Sequence, residues 1–322
     1  MIAAFAALAF LPPADFIVQP YYVYPSDQPM HPEYAKAIER VVVEVQGWYK
    51  KKAGVTFQLA PLQVIKGRPY LEMRAGTNPS EEDRKDLQKL PNWWDALQAI
   101  VKGPQPKSVP WIFAQGGGGF AGANLWGDFQ GFATFGDWVL EPISGVREPA
   151  AIHSGFATWQ VQGGTPVGTT VHELGHAFGL HHPDKYPGKS IMRWHGDYPD
   201  TGLLAHEIMI LKNSPFFVRN AYDPGAPWLN FEIKDTCLDG ETFNLTGKRF
   251  DPDMQIEFRW IDLPKEPKDG ASGEHVVMVT PKVSSETHAA VQVPKGYRSG
   301  FIRAHLGSKK GNAVPVNGYA AE

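Results

Sequence analysis

The stretch VHELGHAFGLHHPDKYPGKSIM, residues 171–192, holds four histidines and a single glutamate. His172 and His176 are four residues apart, so on a helix they stand one turn apart on the same face. Imidazole nitrogens bind zinc at about 2.0–2.1 Å, and such a pair reaches one ion without straining the backbone. Glu173 then lies beside the ion, where its carboxylate can take a proton from a water molecule. The spacing predicts a metal site with an adjacent base.

Two histidines leave such a site incomplete, and Gly179 offers a way to complete it. An uninterrupted helix would turn by about 600° over six residues and direct His182 away from the metal. Glycine readily adopts the left-handed conformation that ends a helix, so we expect the helix to stop at Gly179. Pro183 keeps it from resuming, and His182 takes the third position. A fourth position stays open, as in catalytic zinc sites, and His181 is expected to point elsewhere.

A bare H-E-x-x-H pattern also arises by chance in helices. Here the glycine, the third histidine and the proline all satisfy the same geometric requirement, which favours the metal site. The wider pattern, HELGHAFGLHH at 172–182 followed by SIM at 190–192, resembles the metzincin clan of zinc endopeptidases. By this resemblance the three histidines bind one catalytic zinc ion, Glu173 is the general base and acid, and Met192 lies beneath the metal. From the residues alone, Met192 would be a core residue.

The sequence also departs from known metzincins. Trp194 stands where some members carry a tyrosine that serves as an extra zinc ligand, so we expect no five-coordinate resting site. The single cysteine, Cys237, follows the motif, which excludes the cysteine-switch latency of matrixins and any intramolecular disulfide. We find no convincing matrixin-type loop of structural zinc and calcium ligands, and a calcium requirement stays open. His195, Tyr198 and His206 either line the specificity pocket or are structural.

Composition limits the classes of function. The chain has 322 residues, 43% of them hydrophobic and 20% charged, which is typical of a globular protein with ample core. A formal net charge of −3 without basic clusters argues against a nucleic-acid partner or a membrane-binding patch. Residues 1–11 are apolar but too short to span a bilayer, and no later segment is a candidate span. Residues 1–14 predict a secretory signal lacking its basic region, and thus a secreted or cell-surface protein; the alternative is a buried N-terminal segment.

The residues before the motif predict a mixed sheet backed by helices. Residues 31–52 read as an amphipathic helix, and residues 55–65 as a strand interrupted at Pro61. A second helical pattern starts near Glu81, and residues 111–115 are a buried-strand candidate. The apolar stripe of the first helix consists of Tyr34, Ile38, Val41, Val45 and Trp48.

A glycine-rich and aromatic region, residues 116–138, follows the last of these strands. It contains a literal G-x-G-x-x-G, but no helical periodicity follows, so we reject a dinucleotide site. We expect a surface loop leading into a strand at 136–143. In metzincins the substrate extends along an edge strand, which here would come from region 115–141. Gly118 and Gly119 are then candidates for the substrate edge, because glycine lets a peptide backbone approach closely.

After the motif, residues 203–213 predict another helix, with Leu204, Ile208 and Leu211 on its apolar stripe. Prolines and glycine at 223–228 predict a linker. Five short strand candidates then predict a β-sandwich, which resembles IPT/TIG immunoglobulin-like domains, with Cys237 buried inside it. Such modules serve as spacers or bind protein or glycan.

The predicted fold class is therefore α+β: a metzincin-like catalytic domain at 15–222, a linker at 223–228 and an all-β sandwich at 229–322. The predicted function is zinc-dependent hydrolysis of peptide bonds in a protein or peptide substrate. One alternative is a catalytically silent metzincin fold that binds glycan or protein, although the retained Glu173 argues against it. Another is a zinc hydrolase acting on non-peptide bonds.

Overall fold

The structure is a computed structural model. It describes residues 16–74, 97, 99–101, 107–117, 121–124, 131–146, 152–154, 157–159, 165–183, 188–230, 236–238, 240–262 and 273–319. The apolar segment 1–14, most of the second helical pattern from Glu81, and Gly118 and Gly119 lie outside these ranges. The helices are α1 (Pro32–Ala53), α2 (Tyr70–Arg74), α3 (Asp137–Ser144), α4 (Thr165–Ala177) and α5 (Ala205–Leu211).

A mixed sheet organises the first two thirds of the chain, with the strand order β2-β1-β3-β5-β4. Strands β1, β2, β3 and β5 run parallel to their neighbours, while β4 runs antiparallel to β5 at one edge. An edge strand therefore does come from region 115–141. These strands and a separate hairpin, β6 with β7, are β1 (Ile17–Tyr24), β2 (Gln63–Lys66), β3 (Ser108–Ala114), β4 (Ala121–Asn124), β5 (Phe132–Phe135), β6 (Ile152–Ser154) and β7 (Ala157–Trp159).

Both faces of this sheet are covered, as a largely parallel sheet requires. Along β1, Val18 and Tyr22 face the main core, whereas Tyr21 and Val23 face a second cluster on the opposite side. On the main-core side, α1, α3 and α4 contact one another, and α4 also contacts β4 and β5. The helix that carries the histidine motif therefore lies against the antiparallel edge of the sheet.

Helix α1 confirms the predicted amphipathic helix and its apolar stripe, since all five stripe residues are buried. Pro32 occupies its first turn, where a missing N–H costs nothing. Gly54 ends the helix in the left-handed conformation, with φ +76°. Tyr49, fully buried, donates a hydrogen bond of 2.9 Å to the carbonyl of Val171 and so joins α1 to α4.

Three local predictions are wrong. Residues 136–143 were expected to form a strand but form helix α3, whose buried Val139, Leu140 and Ile143 follow a spacing of one and three residues. A short apolar run of this kind does not distinguish a strand from a helix. The predicted strand at 55–65 is shorter, because β2 begins at Gln63, beyond Pro61. The expected surface loop at 116–138 instead contains strands β4 and β5, and all four residues of β5 are buried. Residues 121–124 form strand β4 and not a helix, which agrees with the rejection of a nucleotide site.

The remaining chain folds into two sheets with the orders β13-β14-β10-β8 and β12-β11-β15-β16-β9. Their inner side chains, such as Phe243 and Phe258, share one core. Among the described residues, neighbouring strands of these sheets pair antiparallel, except β9 and β16, which pair in parallel. The strands are β8 (Trp228–Leu229), β9 (Thr236–Leu238), β10 (Thr242–Lys248), β11 (Gln255–Ile261), β12 (Glu274–Val279), β13 (Lys282–Ser285), β14 (His288–Gln292), β15 (Gly300–Leu306) and β16 (Lys309–Tyr319).

Helix α5 joins the two parts of the fold. Its Met209 clusters with the buried Phe301 of β15. Just beyond the helix, Asn213 Oδ1 accepts a hydrogen bond of 2.9 Å from the Arg303 guanidinium. Asp223, at the start of the predicted linker, accepts a bond of 2.8 Å from the backbone N–H of Lys310. The sandwich is thus attached by specific contacts and not only by the chain.

The fold class is confirmed: an α+β part with a mixed sheet is followed by an all-β sandwich. None of the helices in the described ranges combines the length and apolar character needed to cross a bilayer.

The buried stripe of α1 should dominate the stability of the first part. Replacing Ile38, which is 0% exposed, with alanine should lower the free energy of unfolding by about 2–5 kcal/mol, since it leaves a cavity. Val43→Ala on the same helix is the matched control. Val43 is 60% exposed, so its replacement should change stability by about 0.5 kcal/mol or less. Urea unfolding of both variants measures this, and equal effects would contradict the assignment.

Candidate metal centre

Helix α4 ends where the sequence predicts. Gly179 has φ +90°, a conformation that glycine adopts without steric cost. Its N–H donates to the carbonyl of His176 at 2.8 Å, and the N–H of Leu180 donates to the carbonyl of Gly175 at 3.0 Å. These two bonds define a Schellman motif, which reverses the chain and satisfies the last carbonyls of the helix. The reversal carries His182 back towards α4.

The three predicted ligands converge. The Nε2 atoms of His172, His176 and His182 lie 3.1, 3.1 and 3.2 Å from one another. Nitrogens bound to one tetrahedral zinc at about 2.0–2.1 Å would lie about 3.3–3.4 Å apart, so the trio fits such an ion. Each histidine contributes one ligand atom to this group, which is the metal-binding cluster found among the described residues. These residues can hold a metal ion.

Backbone carbonyls fix which ring nitrogen of two ligands is available. His172 Nδ1 donates to the carbonyl of Ile191 at 2.8 Å, and His176 Nδ1 donates to that of Leu180 at 2.7 Å. With the proton held on Nδ1, each Nε2 presents a lone pair to the centre of the trio. This arrangement of outer hydrogen bonds is characteristic of metal-binding histidines.

Burial keeps these imidazoles neutral. Desolvation, together with the neighbouring histidines, lowers the pKa of His172 to about 3. Desolvation also lowers the pKa of His176 to about 4, against the opposing effect of its bond to Leu180. Protons therefore compete little with a metal for these two nitrogens near neutral pH.

Glu173 is the only acidic residue of helix α4 and directly follows the first ligand. Desolvation raises the pKa of its carboxyl to about 7. A carboxyl with a pKa near the working pH both accepts and returns a proton readily. A bound divalent cation nearby would favour the ionised form, which is the form that acts as a base.

The methionine turn lies directly under the helix. Met192 is 0% exposed, and a Cβ placed on Gly175 would lie only 2.4 Å from its Sδ atom. Any side chain at position 175 would therefore have to displace the buried Met192 side chain, which lies between the turn and α4. The sequence analysis did not single out Gly175, because the reason for a glycine there is a contact with a residue 17 positions away.

A buried carboxylate holds the turn in place, and it too escaped the sequence analysis. The Ser190 hydroxyl lies 2.7 and 2.9 Å from the two carboxylate oxygens of Glu207, and it accepts a bond of 3.0 Å from the N–H of Met192. Glu207 also accepts a bond of 2.6 Å from the N–H of Leu204, at the start of α5. The predicted stripe of α5 is partly wrong, since His206 and Glu207 are buried while Leu204 and Ile208 are only partly so.

Arg193 secures the segment that follows the third ligand. Its guanidinium donates to the carbonyl of Pro183 at 2.6 Å and to that of Gly188 at 2.8 Å. The carbonyl of Pro183 is next to His182, so these bonds connect the third ligand to the methionine turn.

The other histidines near the motif differ in their surroundings. His181 is outside the converging trio and interacts electrostatically with the buried His206, whose pKa desolvation lowers to about 3. Tyr198 is structural, because its hydroxyl donates to Glu44 of α1 at 2.7 Å. His195 lies beside the trio, with its ring centroid 5.3 Å from that of His172, and Trp194 stacks on it. Burial lowers the pKa of His195.

No protein-family model matches the chain, and no curated protein matches its sequence. Solved structures show only distant likeness. The catalytically inactive OgpA from Akkermansia muciniphila, in complex with an O-glycopeptide (glycodrosocin) substrate, is 13% identical with a TM-score of 0.43, over 91% of this chain and 89% of that chain. Wild-type OgpA is 14% identical with a TM-score of 0.41, over 91% and 88%.

A DUF4784 family protein from Bacteroides caccae ATCC 43185 is 16% identical, with a TM-score of 0.22, and covers 28% of this chain and 22% of that chain. At these values the likenesses carry no functional argument.

Gly175→Ala should damage the centre. Overpacking against Met192 should cost about 1–3 kcal/mol of stability and weaken zinc binding, since the buried Met192 side chain must move next to the ligands. Gly47→Ala in α1 is the control, because a Cβ at Gly47 meets nothing within 4 Å. That change should instead stabilise the protein by about 0.5–1 kcal/mol. Thermal unfolding and zinc titration of both variants measure the contrast, and a destabilised Gly47→Ala with an unaffected Gly175→Ala would contradict it.

Glu207 should make stability depend on pH. Burial raises the pKa of Glu207 to about 7 in the folded state, whereas a glutamate in an unfolded chain has a pKa of about 4.3. Between these two pKa values the folded state binds a proton that the unfolded state has already lost. The contribution of Glu207 to stability is therefore lost as pH rises towards 7. Glu207→Gln removes that loss. Between pH 5 and pH 8, the stability of the variant should rise relative to wild type by roughly 2–3 kcal/mol.

This comparison uses urea unfolding of both metal-free proteins at the two pH values. Altered hydrogen bonds in the variant should change its free energy of unfolding equally at both pH values. The quantity of interest is therefore how the difference between variant and wild type changes with pH. A difference that stays constant would contradict the raised pKa.

Proposed function

We propose that the chain is a zinc-dependent endopeptidase. The observation that carries the proposal is the convergence of the three Nε2 atoms within 3.2 Å of one another. Two of these atoms belong to helix α4, which also bears Glu173, and the third belongs to His182, after the turn that ends the helix. Three imidazole ligands suit zinc, and three protein ligands leave a position for a water or a substrate, as in catalytic sites. When bound, zinc supplies Lewis acidity and lowers the pKa of a water to about 7.

Glu173 performs the proton transfers in this proposal. Its carboxylate takes a proton from the attacking water and then delivers it to the nitrogen of the leaving amine. Burial raises the pKa of this carboxyl, which favours return of the proton, while a bound cation would favour the ionised form that accepts it.

Strand β4 offers a binding edge for an extended peptide. It is the antiparallel edge strand of the sheet and contacts α4. A peptide added to such an edge gains main-chain hydrogen bonds without depending on side-chain identity. The proposed catalytic unit is residues 15–222, with 223–228 as a linker and 229–322 as an accessory sandwich, and we retain Gly118 and Gly119 as proposed parts of the substrate edge.

The second candidate is a binding protein that keeps the fold without catalysis. The exposed Trp194, 43% accessible beside the trio, favours it, because half-exposed aromatic rings suit recognition surfaces. The retained Glu173 favours the enzyme, since a pure binding site has no use for a base next to its metal.

Glu173→Gln should separate the two. Loss of the base should lower kcat on unfolded casein by about 10²–10⁴, while zinc stays at about one ion per chain, because the three ligands are intact. Glu39→Gln, a change of the same kind at an exposed position of α1, should leave both values unchanged. Chelation of the metal should abolish cleavage by both the wild type and this control.

The substrate panel includes matched peptides with and without an O-glycan. A Glu173→Gln protein as active as wild type would contradict the proposed mechanism. Zinc binding without cleavage of any peptide by the wild type would support the binding protein instead.

A further inference from the structure

His195 follows Met192 by three residues and lies next to the ligand trio. Its ring centroid is 5.3 Å from that of His172, with the planes at 62°. The indole of Trp194 stacks on it, with centroids 5.2 Å apart and planes at 25°. An imidazole is therefore placed beside the centre without belonging to the three converging ligands.

The helix that carries the ligands also fixes the position of His195. A Cβ on Gly168 of α4 would lie 2.0 Å from the carbonyl oxygen of His195, so only glycine permits this approach. The same carbonyl accepts a bond of 3.3 Å from the N–H of Tyr198. Backbone packing and ring stacking together give the imidazole a defined orientation before any ligand binds. Such preorganisation is what a hydrogen-bond donor in a catalytic site requires.

The ring nitrogens of His195 have no structural use within the described ranges. No hydrogen bond there involves either nitrogen, in contrast to the Nδ1 atoms of His172 and His176. The residue is also neither fully buried nor fully exposed. A partly exposed imidazole with unused nitrogens, held rigidly at a metal centre, is suited to contact a bound ligand.

We propose that His195 is a catalytic residue that donates a hydrogen bond to the carbonyl oxygen of the scissile peptide bond as negative charge builds up on that oxygen. The inference rests on the proposed endopeptidase function and deepens it. No proton is transferred in this contact; the hydrogen bond strengthens as the oxygen becomes negative. Donors aimed at developing charge are typically worth about 10²–10³ in kcat.

The test compares His195→Phe with His195→Gln. Phenylalanine keeps a flat ring that stacks on Trp194 but has no donor, whereas glutamine keeps an amide N–H donor. We expect His195→Phe to lower kcat on the cleaved peptide by about 10²–10³, with KM and zinc content unchanged. His195→Gln should recover part of this loss. His288→Gln, at an exposed position of β14, is the control and should behave as wild type.

A second readout does not depend on turnover. Methylphosphonate is a tetrahedral oxyanion, and its binding to the cobalt-substituted protein can be followed by the visible spectrum of the cobalt. A lost hydrogen bond to a charged oxygen should weaken this binding by about 10- to 100-fold in His195→Phe, and less in His195→Gln. Zinc content and thermal unfolding of each variant are measured alongside.

The outcomes separate this inference from the proposed function. If the wild type cleaves no peptide but methylphosphonate binding depends on His195, the endopeptidase function fails and the oxyanion contact stands. If the wild type cleaves peptides and His195→Phe retains both kcat and methylphosphonate affinity, the inference is overturned. It is equally overturned if His195→Phe loses zinc in proportion to activity, because His195 would then support the metal and not the substrate.

Discussion

The candidate metal centre depends on directing the Nε2 atoms of three histidines towards one point. The Nε2 atoms of His172 and His176 lie 3.1 Å apart, and because each ring holds its proton on Nδ1, their lone pairs repel one another, so this pair does not favour the arrangement by itself. The surroundings must impose it, and they do so through backbone groups, which move less than side chains. The carbonyls of Ile191 and Leu180 orient two of the rings, and the left-handed turn at Gly179 delivers both Leu180 and the third ring. A metal ion bound at this point would be coordinated by these lone pairs.

This constraint explains why glycines recur where elements meet the helix. Gly175 admits Met192, Gly168 admits the carbonyl of His195, and Gly131 approaches the end of α4 so closely that a Cβ there would lie 2.2 Å from the Ala177 carbonyl oxygen. In each case the space of a single methyl group is occupied by another segment of backbone or by a buried sulfur atom. Helix α4 is thus closely packed at several points along its length, and this packing holds the ligands in position in the absence of an ion.

The sequence predicts what is local. The three ligands, Glu173 and the turn at Gly179 follow from spacing within a dozen residues, and the stripe of α1 follows from periodicity. What the sequence could not predict depends on distant partners: the carboxylate of Glu207 is 17 residues from Ser190, and the reason for Gly175 lies equally far along the chain. Helix α3 was mistaken for a strand because eight residues with one proline carry no decisive period. β16 was missed because its Pro315 and glycines resemble loop composition.

Helix α5 connects the sandwich to the methionine turn. At seven residues it is too short to persist alone in water. One of its faces carries the Glu207 carboxylate that anchors the methionine turn, while Met209 and the following Asn213 rest on β15 of the sandwich. Contacts with the sandwich therefore help to hold α5 in place, and α5 in turn holds the methionine turn. Side chains of β15 therefore contribute to the position of the histidine trio without lying near it, so the sandwich belongs to the scaffold of the centre and not merely to its periphery.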